Sequence, residues 1–250
     1  MSLPIALQLH TVRELLDKDF VDTLNRVYDV GYRAVEIGGF HGKTTDELAR
    51  LTHQAGLSIV STHLPLETFE QPVEELAAIA DTLDCRFLVC PKIPESQRTA
   101  NGYDEAAEIL NRAADGLATH GITVCYHNHA FEFEETQGIT GMDRLFQPSC
   151  RFEAQMDLYW VAHASKDPLT FTAGYTGRVP LLHVKDMEDT EARDFAEVGT
   201  GTIKLRPILL QAPTWGTKWA IVEQDANWIN GDPMESIRIS YHNIIELMKL

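Results

Sequence analysis

The stretch Gly121 to Phe133, "GITVCYHNHAFEF", decides the fold, because an apolar strand pattern in it runs directly into a group of polar side chains. Residues 121–126 form a short apolar run with β-branched side chains, which is typical of a buried strand. Two histidines, an asparagine and a glutamate follow between positions 127 and 132. A buried strand that ends in groups able to bind protons and metals predicts a functional site at that end.

The same pattern recurs along the chain. The other apolar runs are "PIALQLH", "RAVEIGG", "SIVSTHL", "RFLVCPK", "FEAQMDLYW", "PLLHVKD" and "WAIVEQD". Helical patterns separate them, so eight strands alternate with about eight helices, and we predict an α/β fold, a single (β/α)₈ TIM barrel over residues 1–250. An open doubly wound sheet would need a glycine-rich turn after the first strand, and "QLHTVRE" is not one.

Helix ends carry their own signals. "DFVDTLNRVYDVGY" predicts a helix that stops at Gly31, where glycine suits a left-handed cap. "PVEELAAIADTL" predicts a helix with Pro72 in its first turn. The last helix is predicted to open with Asp232 as the cap and Pro233 at the first helical position.

Composition limits the possible functions. The net charge of −16 opposes binding to nucleic acids and to anionic membrane surfaces. No run of about 18 apolar residues is present, so we expect no membrane-spanning helix. The four cysteines form no CxxC pair, and Cys90 and Cys125 lie inside strand-like runs, as small buried side chains do in a reducing compartment. The first residues do not read as a secretory signal, and we predict a cytoplasmic protein.

Polar side chains gather at the carboxyl ends of nearly all the predicted strands. They are Gln8 and His10, Glu36, His63, Lys92, His127 and His129, Asp157, His183 and Lys185, and Glu223 and Asp225. In a barrel these ends converge on one face, where the loops after the strands build the active site. The convergence predicts an enzyme.

Four polar groups near the last four strand ends have the chemistry of a divalent metal site. They are Glu132, Asp157, His183 and Glu223. Three carboxylates and one imidazole suit Mn²⁺, Mg²⁺, Co²⁺ or Zn²⁺, and would leave coordination positions open for substrate oxygens. No local metal motif such as HExxH is present, so the prediction depends on topology. A single strand-end carboxylate is more often a helix cap or an ion-pair partner, so the prediction depends on the four residues together.

Five segments in register, "YHNHAFEF", "MDLYWV", "LLHVKDM", "VGTGTIKL" and "IVEQD", resemble the sugar phosphate isomerase/epimerase superfamily, the xylose isomerase-like TIM barrels. The resemblance covers nearly the whole chain. It implies one divalent cation, with Mn²⁺ favoured, held by a glutamate, an aspartate, a histidine and a second glutamate, and a small carbohydrate substrate. Asp157, His183 and Glu223 match the last three ligand positions.

The first ligand departs from the family pattern. Many relatives carry a glutamate inside the fifth strand, where this chain has His127. The ligand here is either Glu132 or His127, and we favour Glu132 because a hard, oxygen-rich site prefers a carboxylate. The "HNHxxE" form resembles a subgroup near the inosose dehydratases and the enzymes that act on 3-keto glycosides. A ketose-epimerase mechanism with two opposed glutamates therefore does not transfer directly.

The histidines of the opening stretch are candidate proton carriers. His127 and His129 are two residues apart, so on one strand they share a face. We predict His129 as the base that removes a proton next to a carbonyl, with His127 and Glu223 as alternatives. His127 could instead orient a metal ligand. Lys185 is predicted to take part in catalysis by binding a substrate oxygen or stabilising negative charge, or else to pair with Asp157 or Glu223.

Four further residues are predicted to bind the substrate: Gln8, His10, His63 and Trp160. The alternatives are a hydrogen-bonded core position for the two histidines and ordinary packing for Trp160. "GTGTIKLRP", residues 199–207, could hold an anion with its backbone amides at a helix start, or could form a tight turn.

Two enzymatic functions agree with these features, and two other functions fit less well. The leading hypothesis is a metal-dependent isomerase or epimerase of a sugar or keto sugar, acting through an enediolate. The second is a lyase of the same fold, either an inosose-type dehydratase or an enzyme that eliminates a group β to a 3-keto carbon. A DNA-repair endonuclease conflicts with the acidic charge, and a non-catalytic sugar-binding module leaves the paired histidines without a role. Whether the chain forms a homo-oligomer is left open.

Overall fold

The structure, a computed structural model, describes residues 3–249. Met1, Ser2 and Leu250, which belong to the predicted domain, lie outside the described residues. Eight parallel strands close into a barrel in which the first strand pairs with the last. The strands are β1 Ile5–Gln8, β2 Ala34–Ile37, β3 Ser58–His63, β4 Phe87–Cys90, β5 Thr123–His127, β6 Glu153–Asp157, β7 Leu181–Val184 and β8 Trp219–Val222. The predicted TIM barrel is confirmed.

The described part of the chain contains ten α-helices. They are α1 Arg13–Lys18, α2 Phe20–Val30, α3 Thr45–Gln54, α4 Val73–Leu83, α5 Ala100–Ala118, α6 Gly141–Leu145, α7 Leu158–His163, α8 Pro168–Ala173, α9 Leu205–Gln211 and α10 Pro233–Leu247. Two short antiparallel pairs join residues 135–136 with 139–140 and residues 186–187 with 195–196. Both pairs belong to loops that follow barrel strands, on the face where the polar strand ends gather.

The structure describes all three helix ends that the sequence predicts. Gly31 follows α2 with φ of 127°, a conformation that glycine adopts without strain. Asp232 caps α10 by accepting a hydrogen bond from the backbone N–H of Met234, and Pro233 occupies the first position. The prediction for Pro72 was wrong by one residue, since α4 begins at Val73 and Pro72 stands just before it.

The barrel interior changes from apolar to polar along the strands. A small buried cluster fills it near the strand starts: Ala6, Ala34, Val60, Val89, Cys125, Leu181 and Ile221. Because residues two apart share a strand face, the next inward positions on these strands include Gln8, Glu36, His127, His183 and Glu223, all buried. A much larger apolar cluster between the strands and the helices forms the main core. The inward polar side chains near the carboxyl ends of the strands therefore pack on a buried apolar layer.

Two further sequence predictions concern the cysteines and the membrane. Cys85, Cys90 and Cys125 are buried, Cys150 is partly buried, and all four are free thiols. Among the described residues, none of the helices combines the length and the apolar character that crossing a membrane requires.

Candidate active site

Four buried side chains meet at the carboxyl ends of the last four strands: His127, Asp157, His183 and Glu223. Each offers one ligand atom, and these atoms all lie within 4.8 Å of one another. His127 and Asp157 end β5 and β6, His183 lies in β7, and Glu223 directly follows β8. We call these residues the four-residue cluster. It brings together three of the four predicted metal ligands.

Glu132, the fourth predicted ligand, lies outside the four-residue cluster. It belongs to a short 3₁₀ turn after β5, where its carboxylate accepts hydrogen bonds from the Tyr126 hydroxyl at 2.6 Å and from the His129 backbone N–H at 2.7 Å. Tyr126 packs in the core outside the barrel. The turn therefore directs Glu132 to the outer side of β5, and His127 takes the inward place. Burial raises the pKa of Glu132 to about 7.

The hydrogen bonding of His127 suits a metal ligand. Its Nδ1 lies 3.1 Å from Gln155 Oε1, while the Gln155 amide nitrogen donates to Glu36. The Gln155 oxygen is therefore the acceptor, and His127 Nδ1 carries the proton. Burial first, and then the charge of His183, hold the pKa of His127 well below its usual value, so the ring is neutral. Its Nε2 lone pair faces Asp157 Oδ2 at 3.7 Å.

Asp157 divides its two oxygens between structure and site. Oδ1 caps α7 by accepting from the Trp160 backbone N–H at 3.0 Å. Oδ2 is buried and accepts no hydrogen bond of good geometry, although the Lys185 ammonium lies 3.0 Å away. The Asn128 side chain fixes this strand end by accepting from the Asp157 backbone N–H and donating to its carbonyl oxygen. A buried carboxylate oxygen without a hydrogen bond is a candidate ligand atom for a cation.

His183 lies between two carboxylates. Its Nδ1 is 2.7 Å from Glu223 Oε2, and its Nε2 is 2.6 Å from Glu36 Oε1. Burial opposes protonation of the ring, but Glu36 and Glu223 together raise the pKa of His183 to about 10. Glu36 thus orients the imidazole from the side away from the four-residue cluster.

Glu36 and Gln155 form a buried network for which no role is predicted from the sequence. Burial alone would raise the pKa of Glu36, but the charges and hydrogen bonds of His63 and His183 hold it well below its usual value. Gln8 and Gln155 also donate to its carboxylate. Glu36 is among the polar strand ends and could have been found by that signal, whereas Gln155 lies inside its strand, between Ala154 and Met156, and not at the carboxyl end.

Lys185 is enclosed by carboxylates. Its Nζ lies 2.7 Å from Glu223 Oε2, 2.8 Å from Asp225 Oδ2 and 3.0 Å from Asp157 Oδ2. Burial alone would lower its pKa, but these three charges raise the pKa of Lys185 well above its usual value. The ammonium is therefore charged and paired.

A cavity of about 250 Å³ opens above the four-residue cluster. It is lined by His10, Gly38, His63, Pro91, Lys92, His127, His129, Lys185, Glu223 and Asp225. Of the predicted substrate-binding residues, His10 and His63 line it. Gln8 lies below and donates to Glu36, and Trp160 packs its ring against His129, with the ring centres 5.4 Å apart.

His129 presents a neutral ring to this cavity. It is stacked on Phe131 with ring centres 5.3 Å apart, and Trp160 lies on another side. Burial, and then the charge of Lys185, lower the pKa of His129 to about 3. Its Nδ1 is buried without a hydrogen-bond partner, which leaves Nε2 as the nitrogen that can reach the cavity.

The glycine loop after β7 binds a carboxylate of the protein itself. The backbone N–H groups of Gly199, Gly201 and Ile203 donate to the two oxygens of Asp186 at distances of 2.9 to 3.1 Å. These amides are the ones considered for an external anion, and Asp186 already satisfies them. A larger groove, of about 490 Å³, lies at the opposite end of the barrel, and its lining residues include no cluster of the kind described above.

Comparison with known proteins agrees with this architecture. A family model described as a xylose isomerase-like TIM barrel matches residues 24–239. A sugar phosphate isomerase/epimerase from Parabacteroides distasonis is 22% identical, with a TM-score of 0.84 over 100% of this chain and 96% of that one. A xylose isomerase domain protein from Alicyclobacillus acidocaldarius is 17% identical, with a TM-score of 0.73 and 98% of each chain covered.

A third solved structure is the probable 3-DHS dehydratase AsbF involved in petrobactin synthesis from Bacillus anthracis. It is 13% identical, with a TM-score of 0.71 over 97% of this chain and 99% of that one. At these identities the likenesses show the fold. No curated protein matches the chain.

Proposed function

The chain belongs to the xylose isomerase-like TIM barrel family, and we propose that it is a divalent-metal-dependent isomerase or epimerase of a sugar or keto sugar. The observation that carries this proposal is the four-residue cluster beneath the cavity. The reaction removes a proton from a carbon next to a carbonyl and returns it to that carbon or to its neighbour, through an enediolate. The substrate is a small carbohydrate, and the setting is the cytoplasm.

The four-residue cluster fits a divalent ion. It offers two imidazoles and two carboxylates, a set that suits Mn²⁺, Co²⁺ or Zn²⁺, and Mn²⁺ is our choice because a mixed nitrogen and oxygen site is within its range. Asp157 Oδ2, which accepts no hydrogen bond of good geometry and has Lys185 as an ion-pair partner, supports this assignment together with the lone pair of His127. His127, rather than Glu132, is the first ligand in the proposal. A bound ion would supply positive charge to a carbonyl oxygen as negative charge develops there.

The residues around the cavity supply the base and the hydrogen bonds to the substrate in this proposal. His129 is the base, because its ring lies at the cavity wall and Nε2 is the nitrogen that can reach the cavity. The lowered pKa keeps the ring neutral and also makes it a weak base. Phe131 stacks on the ring and Trp160 packs against it at a tilt of 36°, and these two contacts fix the plane of the ring. His10, His63 and Lys92, which line the cavity, would donate hydrogen bonds to hydroxyl groups of the substrate. The cavity is smaller than the roughly 300–1,000 Å³ of pockets for drug-sized ligands, which favours a single sugar unit.

The alternative is a lyase that uses the same first step. After proton removal, loss of water or of a glycosidic group from the β carbon would replace return of the proton. The structural likeness to the probable 3-DHS dehydratase supports retaining a lyase as the alternative.

The test is incubation of the Mn²⁺-loaded protein in D₂O with ketoses, inososes and 3-keto glycosides, followed by NMR. We expect deuterium at a carbon next to a carbonyl for at least one substrate, and loss of that exchange in His129→Gln. A released aglycone or an unsaturated product identifies the lyase. Absence of exchange and of products with every substrate would overturn the enediolate mechanism. Exchange that is unchanged in His129→Gln would remove His129 as the base.

A further inference from the structure

Lys185 is a buried cation with three carboxylates as neighbours. Only 2% of its side chain is exposed. The hydrogen bond of good geometry goes to Asp225 Oδ2 at 2.8 Å, while Asp157 Oδ2 and Glu223 Oε2 lie within ion-pair distance. Such an ammonium is stable in the interior because its neighbours compensate its charge.

Two of these three carboxylate oxygens belong to the four-residue cluster. Asp157 Oδ2 lies 3.7 Å from His127 Nε2, and Glu223 Oε2 lies 2.7 Å from His183 Nδ1. They are the oxygens that a divalent ion would bind. The ammonium of Lys185 already lies against both of them.

The third carboxylate differs from the other two. Asp225 is not part of the four-residue cluster, and a quarter of its side chain is exposed at the cavity, whereas the side chains of Asp157 and Glu223 are almost fully buried. Lys185 would therefore share Asp157 and Glu223 with a bound ion, whereas it would not share Asp225.

We infer that Lys185 is an internal cation that competes with the divalent ion for Asp157 and Glu223, and that Asp225 retains the lysine when the ion binds. The inference rests on the proposed metal site. Two cations that share the same oxygens repel each other, and a long flexible side chain with a compact charge can move away from the ion. Because Asp225 and Lys185 both line the cavity, the lysine released from Asp157 and Glu223 stays beside the substrate.

This arrangement makes Lys185 and Asp225 positioning residues with opposite effects on metal affinity. Removal of the lysine removes the competitor. Removal of the Asp225 charge takes away the alternative partner and confines the ammonium to the oxygens that the ion needs. The effect of Asp225 acts through Lys185, so it should vanish when the lysine is absent.

The experiment is titration of the full, chelator-treated protein with Mn²⁺ by calorimetry. Relative to the wild type, we expect Lys185→Met to bind Mn²⁺ about tenfold more tightly and Asp225→Asn about tenfold more weakly. The double variant should match Lys185→Met. Asp189→Asn is the matched control, since Asp189 is exposed and the charge change is the same, and it should bind like the wild type.

The outcomes separate the two proposals. Absence of Mn²⁺ binding in the wild type and in Lys185→Met contradicts the metal site itself. Binding that Asp157→Asn abolishes, but that is equal or weaker in Lys185→Met, leaves the metal site intact and overturns the competition. If Lys185→Met does not fold, Asp225→Asn decides: the inference fails if this variant keeps the wild-type affinity and the wild-type rise in melting temperature with Mn²⁺.

Discussion

Glu36 Oε1 lies 2.6 Å from His183 Nε2 and fixes the imidazole ring whose other nitrogen faces Glu223 in the four-residue cluster. The carboxylate is completely buried in the barrel and also accepts hydrogen bonds from Gln8 and Gln155. One acidic side chain from β2 therefore holds a ring on β7, and the donors around it leave little freedom for either residue.

Glu36→Gln is expected to weaken both the fold and the proposed metal site. The substitution removes the charge opposite His183 and places an amide nitrogen among hydrogen-bond donors. Breaking a buried charge pair costs about 3–5 kcal/mol of unfolding free energy, measured by urea unfolding. Loss of the carboxylate behind a metal-binding histidine lowers metal affinity about 10- to 100-fold, measured by calorimetry with Mn²⁺. The exposed Glu108→Gln serves as the control, and an unchanged Mn²⁺ affinity in a folded Glu36→Gln protein would contradict the orienting role.

His127 and Glu132 can be separated as metal ligands by two substitutions. We expect His127→Ala to lose bound Mn²⁺, because its Nε2 faces the four-residue cluster. Glu132→Gln should retain it, because that carboxylate is engaged by Tyr126 and the His129 backbone. Metal content after dialysis against Mn²⁺, determined by elemental analysis, provides the measurement. The reverse result would restore the carboxylate ligand that the sequence favours.

Glu132 should impose a pH dependence on stability. Burial raises its pKa to about 7 from an ordinary value of 4.5, so the folded state holds a proton that the unfolded state releases between these values. Stability therefore falls as pH rises through this window, by up to about 3 kcal/mol for a shift of this size. Glu132→Gln keeps a polar amide beside Tyr126 and lacks the titration. The difference in unfolding free energy between wild type and this variant should thus decline from pH 5 to pH 7.

The neighbouring exposed residue provides the control for this titration. Glu134→Gln removes a carboxylate two residues away that is open to solvent, and its unfolding free energy should follow the wild type across the same pH range. A difference between wild type and Glu132→Gln that stays constant with pH would show that Glu132 is ionised in the folded protein throughout.

Much of the site could be predicted because a regular strand has a fixed period. Once β6, β7 and β8 are placed in a barrel, Asp157, His183 and Glu223 must point to one mouth. Glu132 could not be placed in this way. The chain leaves β5 after His127 and enters a 3₁₀ turn, so the two-residue period stops there. The direction of that turn depends on Tyr126, whose outward packing is a tertiary property.

The hydrogen bonds that join Gln155 to His63 and Glu36 could not be predicted from the sequence either. Gln155 contacts His63, 92 positions away, and Glu36, 119 positions away, and neither pairing leaves a local signal. The glycine loop illustrates a different limit. Its sequence shows amides free to bind an anion, but only the fold shows that Asp186 supplies that anion.

Asp186 should control the order of the glycine loop. Its carboxylate accepts four backbone hydrogen bonds, from Met187, Gly199, Gly201 and Ile203. Asp186→Ala leaves these donors without a partner. Because an unsatisfied buried donor costs about 1–3 kcal/mol and the loop can open to water, we expect a total loss of roughly 2–4 kcal/mol in unfolding free energy. Amide hydrogen exchange should become faster at residues 199, 201 and 203.

Gly201→Ala tests the same hydrogen bonds by changing the glycine loop instead of the Asp186 carboxylate. A Cβ atom at this position would lie 2.5 Å from Asp186 Oδ1 and 2.3 Å from the Met187 carbonyl oxygen, too close for either contact to survive. We therefore expect faster exchange at the same amides as in Asp186→Ala, while Asp189→Asn, on the exposed part of the preceding loop, leaves them protected. Full protection of residues 199 and 203 in both Asp186→Ala and Gly201→Ala would show that the loop is held by contacts other than this carboxylate.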